Sequence, residues 1–412
     1  MPIAGCLSVS ASGCRRRAPC RPRRRMLTSE SLEARVRARV NALAGAELLR
    51  TLRSPHGIDF SSNDYLALSK HPLLKERMIE AIRREGCGST GSRLLRGHRE
   101  SFSAVEQTFA ELKQTDRALY FSSGYLANIA VLTTFPEKGD VILSDERNHA
   151  SLIDGIRLSG ARRVVFPHND VEALARLLAQ HRAGGQMFVV TESLFSMEGD
   201  VAPLVEYATL CRTVGAALIV DEAHAVGIYG ARGSGLIEAQ GIARDVLVSI
   251  NTAGKALGVG GAFVAGPSWA IEYLVQRGRP FVFSTAPPPS LAAALAASLA
   301  IVASEPERRA QLMRVSRDLR GQLSSEGVAV PPGSSQIVPV ALGDNGRALA
   351  VAQSLQSQGF DVRAIRPPTV APGTARLRIS VNVGLAEATI RSFAAALAAA
   401  VRESARCSAV CS

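Results

Sequence analysis

Ala217-Leu218-Ile219-Val220-Asp221-Glu222-Ala223-His224 reads as a short buried strand that stops at an acid and a histidine. Its apolar residues run together instead of alternating, as a parallel strand covered on both faces requires. In open parallel sheets, ligands bind beyond the carboxyl ends of the strands. Asp221 and His224 therefore stand where chemistry is expected. The same texture recurs on either side, with strands predicted over 118–121, 141–143, 163–166, 187–191, 246–249 and 262–265. Helical periods such as 171–181 and 204–214 fill most gaps. Seven such strands predict a mostly parallel α/β sheet with helices on both faces.

Upstream, 30–52 reads as an amphipathic helix with Leu32, Val36, Val40, Leu43 and Leu48 near one stripe, and 72–84 as another. After Pro287-Pro288-Pro289 the texture changes to helices at 291–304 and 306–326, strands at 336–341, 361–364 and 375–381, and a last helix at 386–401. The expected organisation is an extension (1–28), an N-terminal helical segment (29–60), a large domain (61–290), a smaller α/β C-terminal domain (291–403) and a frayed tail (404–412).

The formal charge of +12 looks like a nucleic-acid signal until it is located. Seven arginines fall within residues 15–25, and the rest of the chain offers no basic stripe. No nucleic-acid partner is expected. No apolar run reaches the ~18 residues of a membrane span, so none is expected either. Residues 1–25 lack the apolar core of a secretory signal and read as a disordered extension, or as sequence upstream of a start at Met26; their Arg-rich, acid-poor composition leaves a transit peptide, without a clear amphipathic helix, as the alternative. Cysteines concentrate at the two ends. Only Cys87 and Cys211 lie in the body, which gives neither a zinc spacing nor a disulfide framework. A reducing, cytoplasmic setting and no metal are expected.

Asp-Glu-Ala-His also matches the ATPase box of helicases, but the phosphate loop which that reading requires is missing. A second strand end, Thr252-Ala253-Gly254-Lys255, places a lysine on the rim that carries Asp221. Lysine plus carboxylate is the pair pyridoxal phosphate needs: one for the Schiff base, the other against the pyridinium nitrogen. A phosphate has a place at Tyr120-Phe121-Ser122-Ser123-Gly124-Tyr125, where a strand runs into a helix whose first N–H groups can bind an anion. Thr252 and Ser123 could add hydroxyl donors.

With Asn148-His149-Ala150-Ser151 and the run Glu192–Asp200 (ESLFSMEGD), these motifs resemble the α-oxoamine synthases in the family's order over roughly residues 30–400. Those are fold-type I pyridoxal-phosphate transferases that condense an amino acid with an acyl thioester and release CO2. Asp59–Leu66 and Gly88–Arg93 are shared broadly. Ile365–Val370 and Gly373–Arg378 resemble the branch that uses L-alanine and a pimeloyl thioester in biotin biosynthesis. The resemblance implies an acyltransferase in which Lys255 carries the cofactor and moves the Cα proton. It implies that Asp221 pairs with the pyridine nitrogen, His224 and Ser196 bond the cofactor, His149 stacks on its ring, and Gly124, Tyr125 and Thr252 contact it. Arg378, Arg50, Thr369 and His149 are implied at the substrate, with Asn63 beside its carboxylate. It further implies a homodimer in which 86–93 or 279–285 reaches the partner's cofactor. The thioester carrier, coenzyme A or acyl carrier protein, stays open. Glycine C-acetyltransferase and 5-aminolevulinate synthase chemistry are the alternatives.

Overall fold

The computed structural model describes residues 31–181 and 185–410. The expected extension 1–28 and the last two residues of the expected tail lie outside them. Contacts divide the chain into Met1–Arg50 and Thr51–Ser412. In the first unit a helix spans Leu32–Gly45, capped by the Ser31 side chain, which accepts from the Ala34 N–H. It stops short of the expected 30–52, because Gly45 ends it and Glu47 turns into the left-handed region at φ 57°. The expected stripe of Leu32, Val36, Val40 and Leu43 is exposed.

The second unit holds twelve described strands: β1 (Ile58–Asp59), β2 (Arg117–Phe121), β3 (Val141–Asp145), β4 (Arg162–Phe166), β5 (Met187–Glu192), β6 (Ala217–Asp221), β7 (Val246–Thr252), β8 (Ala262–Gly266), β9 (Ile337–Gly343), β10 (Phe360–Asp361), β11 (Ala364–Ile365) and β12 (Ala375–Ser380). The seven predicted central strands form one sheet in the order β2-β8-β7-β6-β5-β3-β4. Only β8 runs against its neighbours. Apart from the edge strand β4, where Arg162, Arg163 and Val165 are exposed, both faces are buried, which is why the strands read as unbroken apolar runs. Leu119, Ile142, Val190, Ile219, Val248 and Val264 pack on one side, and Tyr120, Leu143, Val189, Leu218, Val220 and Phe263 on the other. Each fully buried side chain of this kind contributes about 1.5–3 kcal/mol. Helices Gly124–Leu132 and Ala150–Ser159 follow β2 and β3, so their N-termini open at the carboxyl rim.

A second sheet has the order β11-β12-β9 and is antiparallel. The strand predicted over 361–364 divides here. Phe360–Asp361 pairs with Ile58–Asp59, while Ala364–Ile365 joins β12. Burial of the Phe360 ring against Phe60 and Phe393 pulls the first half away. β12, which carries Arg378, is the centre of its sheet. The last helix, Glu387–Val410, continues past the expected 401 into the stretch read as a tail. No single described helix is long and apolar enough to cross a membrane.

Candidate active site

Lys255 sits in the turn between β7 and β8, which is tied at its base where the Ala253 N–H donates to Gly261 O (2.9 Å). Gly258, at φ 69°, lets the turn close with its N–H on Lys255 O at 2.8 Å. The lysine Nζ lies 2.6 Å from His224 Nε2. Burial pulls the amine down to about 8, against the opposing charges of Asp221 and Glu192. His224 is buried, and desolvation, then the charges of Lys255, Arg378 and His149, holds it well below the ordinary imidazole range.

Asp221 ends β6 and is buried. One oxygen accepts from Asn128 Nδ2 at 2.7 Å and the other from the Ala223 N–H at 2.8 Å. Asn128 also donates to Ser151 Oγ (2.8 Å), which is 2.8 Å from His149 Nδ1. His149 is thereby tied to Asp221 through two side chains; burial lowers it while the Asp221 charge raises it. Glu192 is the register partner of Asp221 on the neighbouring strand. Burial and then the Asp221 charge push it well above the carboxylate range, and its Oε1 has no hydrogen-bond partner.

Where the sequence predicts a phosphate site, Ser123 caps helix Gly124–Leu132 by accepting from the Leu126 N–H. A Cβ at Gly124 would stand 3.3 Å from Thr252 Oγ1, so the helix start and Thr252 face each other across a space that glycine keeps open. Tyr125 projects its hydroxyl to Asp154 and is partly exposed.

Arg378 reaches in from β12. Its Nη2 donates to Asn63 Oδ1 (3.0 Å) and Tyr65 Oη (3.1 Å), its Nη1 to Ser380 Oγ (2.7 Å), and its Nε to the backbone O of Ser196. The loop 193–201 carrying Ser196 is clamped from both sides. His168 bonds Asp200 Oδ2 at 2.8 Å and Asp145 Oδ1 at 3.0 Å. Ser335 Oγ donates to Gly199 O at 2.5 Å, and Arg376 Nη1 to Met197 O at 3.3 Å.

The structure thus brings Lys255, His224, Asp221, His149 and Arg378 into one region, with Ser196 at its border and Gly124 beside Thr252. Thr369 is exposed in the turn after β11, its N–H on Arg366 O at 3.1 Å. Arg50 is exposed and belongs to the N-terminal unit. Sequence reading gave no role to Asn128, Ser151, Tyr65 or Glu192. Asn128 lies one helical turn beyond Gly124, a spacing that could have flagged it.

The family model for class I and II aminotransferases matches residues 55–397. The chain belongs to that family. Among the relatives of this aminotransferase-family chain, an 8-amino-7-oxononanoate synthase from Anaeromyxobacter dehalogenans is 48% identical, over 83% of this chain and 86% of its own length. One from Geobacter sulfurreducens is 44% identical, over 82% and 87%. A solved serine palmitoyltransferase from S. paucimobilis with pyridoxal phosphate and myriocin bound superimposes with TM-score 0.84 at 30% identity, covering 90% of this chain and 97% of that one. The 8-amino-7-oxononanoate synthase from Francisella tularensis gives 0.74 at 29% identity, covering 84% and 98%. The fold is that of the fold-type I transferases, and pyridoxal phosphate is the cofactor. The residues fit it. A buried carboxylate, an amine already pulled toward neutrality and a helix start opened by glycine are the three groups its ring nitrogen, aldehyde and phosphate require.

Proposed function

We propose that this chain joins L-alanine to a pimeloyl thioester of coenzyme A or acyl carrier protein, releasing CO2 and the free thiol, to give 8-amino-7-oxononanoate for biotin synthesis. The observation that carries the reading is Lys255 and Arg378 linked through His224 and Tyr65, an amine and a carboxylate receptor set at one rim. The choice of substrates rests on the relatives at 44–48% identity.

Pyridoxal phosphate, when bound, supplies an electron sink for the pair left at the amino acid Cα. Asp221 would stand against the ring nitrogen and hold its proton. Asn128 and the Ala223 N–H hold that carboxylate in place. Gly124, Tyr125 and Thr252 would seat the phosphate end, His149 would give the ring a flat face, and Ser196 and His224 would hold its polar edge. Arg378 grips the amino acid carboxylate, with Asn63 beside it, and Thr369 and His149 line the substrate. Lys255 Nζ takes the Cα proton and later returns it. A base already pulled down to about 8 suits that exchange near neutral pH.

The active form is a homodimer in this reading. The two stretches assigned to the interface adjoin each other: the Arg93 guanidinium lies 5.5 Å from the Phe281 ring, and just beyond 285 the Ala286 N–H donates to Gly91 O at 2.9 Å and Ser89 Oγ to Pro287 O. Leu95 and Phe283 stand 84% and 73% exposed there, large apolar side chains left for a second copy to cover. Cysteine usage supports a cytoplasmic setting. The deciding experiment pairs alanine, glycine and serine with pimeloyl, acetyl and succinyl thioesters and identifies products by mass spectrometry. Turnover highest with alanine and the pimeloyl thioester is expected; a preference for glycine would overturn the substrate assignment.

A further inference from the structure

Tyr65 has no role in the reaction as drawn above, yet its hydroxyl touches three residues that do. It is fully buried and donates to Asn63 Oδ1 at 2.9 Å; Arg378 Nη2 donates to it at 3.1 Å, and His224 Nδ1 lies 2.8 Å away. A phenol has one proton and two lone-pair positions. The orientation of Asn63 is fixed, because Arg378 Nη2, which can only donate, also bonds its Oδ1 at 3.0 Å. Asn63 Oδ1 therefore takes the Tyr65 proton. The phenol then has no proton left for its other neighbours, Arg378, His224 and the Gln336 side chain, so each of them faces its oxygen as a donor. Arg378 always does, so His224 Nδ1 carries a hydrogen. A neutral imidazole has one hydrogen only, which leaves the lone pair on Nε2, facing Lys255 Nζ at 2.6 Å.

We propose that Tyr65 is a positioning residue that fixes the His224 tautomer, with the hydrogen on Nδ1 and the lone pair on Nε2, so that Lys255 donates to the imidazole and keeps its own lone pair free. The opposite tautomer would aim an N–H at the lysine lone pair and occupy it. The inference deepens the reading of Lys255 as the amine that takes up the cofactor. In that uptake the amine nitrogen bonds the aldehyde carbon, and both amine hydrogens leave with the aldehyde oxygen as water. Only a free lone pair can form that bond.

The test uses the full chain, freed of cofactor and labelled with nitrogen-15 histidine; the His224 signals are those lost in His224→Gln. Wild-type protein shows the Nδ1–H pattern, and Tyr65→Phe, which removes the acceptor at Nδ1, moves the population toward Nε2–H. An Nε2–H pattern in the wild type, or the same pattern in both proteins, overturns the proposal. If Tyr65→Phe does not fold, the wild-type spectrum decides alone. Above the Lys255 value of about 8, uptake of pyridoxal phosphate by Tyr65→Phe is about fivefold slower, the worth of one hydrogen bond. An unchanged uptake rate counts against the proposal. Borohydride fixation of cofactor at Lys255 tests the underlying reading separately, since the tautomer is read without cofactor.

Discussion

His224 and His168 follow two strands of the same sheet, β6 near its middle and β4 at its edge, and their surroundings drive them in opposite directions. Burial works against the charge of both. Around His224 the nearest partners are Lys255, Tyr65 and Arg378, none able to favour an imidazolium, and it is held low. Burial also lowers His168, but Asp145 and Asp200 grip its two nitrogens and outweigh it, raising it to about 9. The comparison separates two uses of buried polar groups. The cluster at Lys255 pulls its bases toward the uncharged form, whereas the clamp at loop 193–201 keeps opposite charges paired and fixed.

The largest test removes the reactive side. Lys255→Ala folds, because the lysine is not a packing residue, and binds cofactor only non-covalently through Asp221, the Gly124 helix start and Thr252. Turnover falls by about four orders of magnitude, borohydride no longer fixes cofactor to the chain, and the visible band of the lysine-bound cofactor is lost. Retained fixation would place the cofactor amine elsewhere. Next, Arg378→Lys keeps the charge but loses the planar fork; KM for alanine rises about 100-fold with a smaller change in kcat. An unchanged KM would remove Arg378 from the carboxylate.

The pH dependence follows from Lys255. Its folded value is lowered to about 8, so the amine is charged below that pH and free above it. Uptake of pyridoxal phosphate by cofactor-free protein climbs about tenfold per pH unit up to about 8 and then levels. A flat profile would show that burial does not tune the amine.

The smallest effect belongs to the clamp. The folded value of His168 lies above the ~6.5 of an unfolded histidine. Its contribution to stability is therefore complete below about 6.5 and disappears as pH rises through about 9. Urea unfolding of wild type against His168→Gln shows a difference of about 1–2 kcal/mol at the acidic end and almost none at the alkaline end. A gap that widens with pH would reverse the assignment of charge.

The strands and their chemical ends were legible because a doubly covered parallel strand must be apolar throughout and must stop where a ligand residue begins. Asp221 and Lys255 could be paired on sequence alone for that reason. The link from Lys255 through His224 and Tyr65 to Arg378 was not legible, since it joins β12 to turns far away along the chain and exists only once the two sheets have packed. The division of 361–364 escaped for a similar reason. Alternation tells which face a residue takes, not which strand it pairs with, and Phe360 chose its partner through Phe60 and Phe393.

Lys255 rides on a turn closed at its base by the Ala253–Gly261 bond and again by the Val259 N–H on Ala253 O at 3.0 Å. If Lys255 carries the cofactor as proposed, an amino acid that displaced its amine would leave that amine held on this twice-tied turn, a side chain's reach from the site. Its return would be intramolecular, at a local concentration far above that of any free amine in solution, so the residue released at the start of a cycle would also be the competitor that expels the product at its end.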